Sequence, residues 1–251
     1  MSGHSKWANI KYRKGRQDAL RSKQFSKFSR EIIMLARREP DPAANPALAD
    51  TIARARAINM PKENIERAIK RATGELPGMQ FEEATYEGYG PHGVAVLLRV
   101  VTDNKNRAVA AVRHVFEQYG GSLEGKVAWL FERRGVITLN KAALGDHDPD
   151  ELTLSALELG AQDVEDKGEE LEIYCTPTEL ARLRAGLEEL GVSAQSAEVS
   201  MVPKTTVPLE GKEATHILKF VDKLDELDDV QEIYANFDIP DEVLEQVGQE
   251  N

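Results

Sequence analysis

The hydrophobic rhythm of this chain changes near residue 76, and that change limits it to a helical unit followed by mixed helix–strand units. Before it, apolar residues recur three and four apart. Between Gln17 and Arg38, the residues Phe25, Phe28, Ile32, Leu35 and Ala36 share one side of a helical wheel. Pro40 and Pro42 stop that helix. Asn45-Pro46 offers an N-cap and a first-turn proline for a second helix running to about Ile58. Pro61 opens a third, with Ile65, Ala68, Ile69 and Ala72 inward, and Gly74 ends it. Residues 1–76 read as a basic helical domain with an N-terminal arm.

After Leu76-Pro77-Gly78 the period shortens. Val94–Val101 predicts a buried strand, Asp103-Asn104 caps a helix over 105–118, and Val127–Phe131 predicts a second strand. A complete block follows: strand 135–140, helix 150–159, strand 162–166, strand 170–175, helix 177–190 and strand 192–202. Thr176-Pro177-Thr178-Glu179 is a capping box with proline at its first helical position, a strong start signal for the second helix. That order, βαββαβ, is the split-βαβ sandwich. The segment beyond Pro208 holds one helix (212–227) and one strand (230–237), too little to fold alone. Joined to residues 80–132 it completes a second sandwich. The expected fold is α+β: an N-terminal all-helical domain (1–76) followed by two split-βαβ, ferredoxin-like sandwich domains, one inserted in the other. The outer one comprises 80–132 plus 205–240, and the inserted acidic one 135–204.

Charge is distributed just as unevenly. The 251 residues carry a formal net charge of −11. Residues 1–74 hold 17 Lys/Arg against 7 Asp/Glu, a net of +10, whereas residues 136–251 hold 8 against 28, a net of −20. A basic segment tied to an acidic body is a sign of polyanion binding. The arm, SGHSKWANIKYRKGR, has no acid and sets aromatics among cations: Lys6, Trp7, Lys11, Tyr12, Arg13, Lys14 and Arg16. Cations release counterions on meeting phosphates, and Trp7 or Tyr12 could stack on unpaired bases. A terminal Trp also commonly folds back over its own domain. In the first helix Lys23, Lys27, Arg30, Arg37 and Arg38 form one stripe opposite the apolar side. In the third, Glu63–Arg67 and Glu66–Lys70 have the spacing of surface ion pairs.

Other motifs speak against chemistry. Gly88-Tyr89-Gly90-Pro91-His92-Gly93 spells the dinucleotide fingerprint but precedes a strand, and Pro91 removes an amide, so it reads as a turn. The five histidines lack metal spacing, and the single cysteine, Cys175, alternates with Leu171 and Ile173 as a core residue. Asp222, Asp225, Glu226, Asp228 and Asp229 read as a solvated face rather than a cation site. No catalytic residue, metal or cofactor is expected, no stretch is apolar enough to span a membrane, and one cysteine suits a reducing cytoplasm.

The sequence resembles the YebC/PmpR family, to which the mitochondrial translational activator of cytochrome oxidase subunit I also belongs. The segments that carry the likeness are residues 2–11 (SGHSKWANIK), 59–62 (NMPK), 65–71 (IERAIKR), 86–91 (YEGYGP), 102–104 (TDN) and 127–129 (VAW). The resemblance implies three domains and a DNA-binding transcriptional regulator, with a role in translation on the ribosome for relatives. The expected function is thus a non-enzymatic, nucleic-acid-binding regulator of gene expression, with a translation factor on ribosomal RNA as the alternative. Its partners would be DNA or ribosomal RNA and the ribosome, with no membrane and no small-molecule substrate. Its contacts would come from Lys6, Trp7, Lys11, Tyr12, Arg13, Lys14, Arg16, Lys23, Lys27 and Arg30.

Overall fold

A computed structural model describes residues 17–78, 80–145, 147–240 and 243–244, with side chains of the first helix described from Ser22 onward. Three helices come first: α1 (Gln17–Ala36), α2 (Pro46–Ala57) and α3 (Lys62–Ala72). Asn45 caps α2 by accepting from the Leu48 amide at 3.1 Å, while its side-chain amide donates to the Leu35 and Glu39 carbonyls. One asparagine therefore starts α2 and ties it to the end of α1. Ile32, Ile33, Ala36, Leu48, Ile52, Ala55, Ile65 and Ala68 form the small core between the helices.

The middle sandwich consists of β1 (Glu82–Tyr89), β2 (Ala95–Thr102), α4 (Lys105–Gln118) and, about a hundred residues later, α7 (Gly211–Glu226) and β8 (Val230–Ala235). Its sheet is antiparallel in the order β1-β2-β8. Asn104 caps α4 through the Arg107 amide at 3.0 Å. β2 is covered on both faces. Val96, Leu98 and Val100 meet α4 and α7, and Ala95 and Leu97 meet Val127 and Phe131. This double burial explains its nearly unbroken apolar run. Arg99 interrupts the run on the face shared with Ala95 and Leu97.

Between these halves lies the inserted sandwich: β3 (Phe131–Asn140), α5 (Pro149–Glu158), β4 (Asp163–Asp166), β5 (Glu170–Cys175), α6 (Leu180–Glu189) and β6 (Ser196–Pro203). Its strands lie in the order β4-β5-β3-β6, all antiparallel, the split-βαβ arrangement. Cys175 is buried within its core. A short parallel pair, β7 (Val207–Pro208) and β9 (Phe237–Asp238), ties the return of the chain to its end. The protein is thus α+β, with a helical domain and two sandwiches, one inserted in the other.

Several elements differ from expectation. β1 was not anticipated, because its sequence EEATYEGY belongs to an edge strand with one exposed face. The strand expected over 127–131 is instead a 3₁₀ turn over Ala128–Leu130 leading into β3. The Glu87 carboxylate takes the Val127 and Ala128 amides at 2.7 and 2.8 Å, leaving them unable to join a ladder. Nor does the capping-box spelling at 176–179 start a helix. The Glu179 amide donates to the Thr176 carbonyl at 3.0 Å, so the box residues form a turn and α6 begins at Leu180.

Gly88-Tyr89-Gly90-Pro91-His92-Gly93 forms the end of β1 and a 3₁₀ turn into β2, as expected. Its glycines permit close packing. A Cβ at Gly88 would strike the Ser122 carbonyl, and one at Gly90 would lie 2.7 Å from the Phe220 ring.

Candidate nucleic-acid interface

Lys6, Trp7, Lys11, Tyr12, Arg13, Lys14 and Arg16 lie outside the described residues. The described part of the expected interface begins with α1, and there the basic stripe meets the acidic run that was expected to face solvent. Lys27 donates to Asp225 at 2.7 Å, Lys23 lies 3.5 Å from the same carboxylate, and Arg30 lies 3.7 Å from Asp229. These side chains are only 13–20% exposed. The run from Asp222 to Asp229 at the end of α7 is therefore, at Asp225 and Asp229, an ion-pairing surface for the helical domain. Breaking one partner of such shielded pairs costs more than the pairs themselves contribute, because it strands the other charge.

A second ionic contact joins the same two domains around Arg99 of β2. Its guanidinium reaches Glu232 of β8 at 2.9 Å, Glu31 of α1 at 3.4 Å and Glu83 of β1 at 3.8 Å, and the Tyr234 hydroxyl also donates to Glu232. Burial raises the Glu31 carboxyl above its ordinary value, against the pull of Arg99. Burial acts in the same direction on Glu232, but the Arg99 charge and hydrogen bond, with the Tyr234 hydroxyl, hold it below the usual range.

The two acids have opposite consequences for stability. Glu31 binds its proton more tightly when folded, so its contribution falls as pH rises from about its ordinary 4.5 through its folded value. Glu232 contributes stability above its ordinary value and loses it as pH falls through its lowered one. Glu31→Gln is expected to flatten the loss of stability between acid and neutral pH. Glu232→Gln is expected to lower stability at neutral pH and to become silent in acid. Urea unfolding at pH 3 to 8 reads both, and equal pH profiles for the two variants would contradict the assignment.

Two of the cations left open, Arg67 and Lys70, are ones that helical spacing had placed in ion pairs. Glu66 pairs with Lys62 at 3.4 Å rather than with Lys70. The spacing that predicted Glu63–Arg67 and Glu66–Lys70 was correct but not decisive, since each acid on a helix has neighbours in both directions. Among the described residues Arg67, Lys70 and Arg71 on α3, Arg56 on α2 and Arg38 after α1 are exposed and make no ion pair. Arg67 and Arg71 line a cleft of about 880 Å³ between α1, α3 and the α4–β8 edge. Its far wall carries Asp103 and Asp229, both held by Arg107 at 2.7 and 3.0 Å.

No group of three or more His, Cys, Asp or Glu side chains among the described residues could hold a metal ion. Also among them, no helix is long and apolar enough to cross a membrane.

Fold and charge together define an α+β protein in which a cationic helical domain is held by ion pairs against the middle one of two acidic sandwiches. Residues 5–75 match the TACO1/YebC N-terminal domain and residues 81–237 the TACO1/YebC second and third domain. The chain belongs to the TACO1/YebC family. It is 50% identical over 251 residues to a "Probable transcriptional regulatory protein" of Dictyoglomus turgidum, covering 99% of this chain and 100% of that one. It is 48% identical to a protein of the same name from Thermotoga maritima, covering 98% of each. Among solved structures it is similar to the conserved hypothetical protein Aq1575 from Aquifex aeolicus, with a TM-score of 0.78 and 46% identity over 90% of this chain and 94% of that one.

Proposed function

We propose that this protein is a non-enzymatic, nucleic-acid-binding regulator of gene expression whose cationic N-terminal end meets backbone phosphates. One observation carries the reading: the segregation of charge survives folding. The helical domain keeps Arg38, Arg56, Arg67, Lys70 and Arg71 open, and the net charge of −20 over residues 136–251 belongs to the other part of the molecule. The acid-free arm, with Lys6, Trp7, Lys11, Tyr12, Arg13, Lys14 and Arg16, extends that positive end in sequence. Lys23, Lys27 and Arg30 join the contact only by exchanging Asp225 and Asp229 for phosphate. The reading invokes no cofactor or small-molecule substrate and places the protein in the cytoplasm.

The names of the relatives support a transcriptional regulator, for which DNA is the natural target. A translation factor on ribosomal RNA is favoured by a different observation. α1 turns Lys23, Lys27 and Arg30 toward its own acidic sandwich rather than outward to a groove. The open cations are also arginines and a lysine suited to phosphates, with few amides among them to read base edges.

A salt series on the intact protein tests the shared claim. If about seven phosphates are contacted, the log–log slope of affinity against salt is near −6 on duplex DNA and near −5 on a single strand. A slope near zero on both would overturn the reading.

A further inference from the structure

We propose that the cleft between α1, α3 and the α4–β8 edge holds one nucleotide of an unpaired strand, its phosphate at Arg67 and Arg71 and its base against the rings of Phe25 and Phe81. The inference rests on the nucleic-acid reading above and gives it a defined pocket.

The cleft has the chemistry of a nucleotide on its two kinds of wall. Arg67 and Arg71 are one helical turn apart on α3 and have no ion-pair or hydrogen-bond partner among the described residues. Two guanidinium groups at that spacing can hold one phosphate from both sides, with the planar donors such groups present to oxyanions. Ser22 and Ser29 on α1 and Asn64 on α3 line the same space, adding neutral polar groups suited to a sugar and phosphate. Arg30 also lines the cleft, and one of its guanidinium nitrogens, Nη1, is buried without an acceptor, a donor that the fold itself does not satisfy. A buried donor left without a partner is costly and marks a place where a ligand oxygen gains more than in open solvent.

The apolar side is aromatic. Phe25 and Phe81 are half-buried and line the cleft, and the Arg30 guanidinium sits 5.7 Å from the Phe81 ring centre. Nucleobases stack on such rings whatever their sequence, which suits single strands rather than duplex. On the opposite wall Asp103 and Asp229 are neutralised by Arg107, but Asp228 is exposed and has no partner among the described residues. A carboxylate there accepts from an exocyclic amino group, so bases with such a group are preferred over uracil.

Ser22 lies five residues into α1 from Gln17, about 7.5 Å along the helix axis. The arm precedes Gln17 directly in sequence, so a strand it grips meets the same end of α1 that lines the cleft.

The test uses the full-length protein and a 12-nucleotide single-stranded RNA carrying a photoreactive 2-thiocytidine, which keeps the exocyclic amino group. We expect a crosslink within the peptides containing Phe25 or Phe81. The double variant Arg67→Gln/Arg71→Gln loses that crosslink and binds on the order of tenfold more weakly. The charge-matched Arg38→Gln/Arg56→Gln pair, outside the cleft, keeps the crosslink. Phe25→Leu, which keeps an apolar side chain in place, also loses about tenfold for the single strand but little for a duplex of the same length. Unfolding midpoints of all variants establish that the fold is kept. Tight binding with crosslinks confined to the arm, unchanged in the Arg67/Arg71 variant, overturns the pocket while leaving the nucleic-acid reading intact. Equal losses in both arginine pairs, with no crosslink in the cleft, reduce these residues to general charge and overturn it as well. Absence of any binding by the unaltered protein removes both.

Discussion

Deleting residues 2–14 is expected to flatten the salt dependence of nucleic-acid binding by about three units of log–log slope. The deleted segment carries Lys6, Lys11, Arg13 and Lys14 with no acid among them. Each cation that neutralises a phosphate contributes about 0.9 to the slope on duplex DNA and about 0.7 on single strands. The deletion also removes Trp7 and Tyr12, and on unpaired RNA each stacked base is worth roughly 1–3 kcal/mol. The loss of affinity should therefore be larger on single strands than on duplex, although the slope changes less there. That inversion separates an arm that both neutralises and stacks from one that is merely basic. An unchanged slope with a lowered unfolding midpoint would instead make the arm a packing element, with Trp7 folded over the helical domain.

Phe220→Ala should cost about 3–5 kcal/mol of stability. Phe220 sits on α7, in the segment that returns to the middle sandwich after the insertion, and is fully buried. Its ring meets Phe116 of α4 edge-on at 5.0 Å between centres and Tyr119 at 5.8 Å, and it lies close over Gly90. Truncation leaves a hole bordered by two helices and a glycine turn, and the surroundings relax only partly into such a cavity. Against a typical domain stability of about 5–15 kcal/mol the loss is large. It should appear as a lowered urea midpoint. Leu183→Ala, in the separate core of the inserted sandwich, should cost about 2–5 kcal/mol. The two losses should add to within about 0.5 kcal/mol, because the sites share no contact. Strong non-additivity would mean that the two sandwiches share one core rather than stacking two.

Much of this architecture was legible because local signals and long-range packing agreed. Asn45-Pro46 and Asn104 cap where their letters say, and β5 occupies the expected residues 170–175. The return of the last helix and strand to the middle sandwich was legible as incompleteness, since one helix and one strand cannot bury their own apolar faces. The misses have physical causes. β1 alternates weakly because one edge of it faces water. Residues 127–131 are apolar enough for a strand, but the distant Glu87 carboxylate consumes the amides a strand would need. Periodicity placed Lys23, Lys27 and Arg30 on one face of α1 without revealing that Asp225 and Asp229, some two hundred residues later, would meet them. The same limit hid Arg67 and Lys70, whose helical spacing to Glu63 and Glu66 suggested pairs that the fold did not form. Of the candidate interface, then, its sign and its end of the molecule could be read from sequence. Which cations remain open is a property of the fold.

The most direct test of the central claim, that the basic end binds a polyanion, is co-sedimentation of the intact protein with ribosomes at roughly physiological salt, with and without excess duplex DNA. The account predicts that the protein leaves the free fraction: it pellets stoichiometrically despite the DNA if ribosomal RNA is its target, or transfers to the DNA if a duplex is. Protein that remains free in the supernatant, bound to neither, would contradict it.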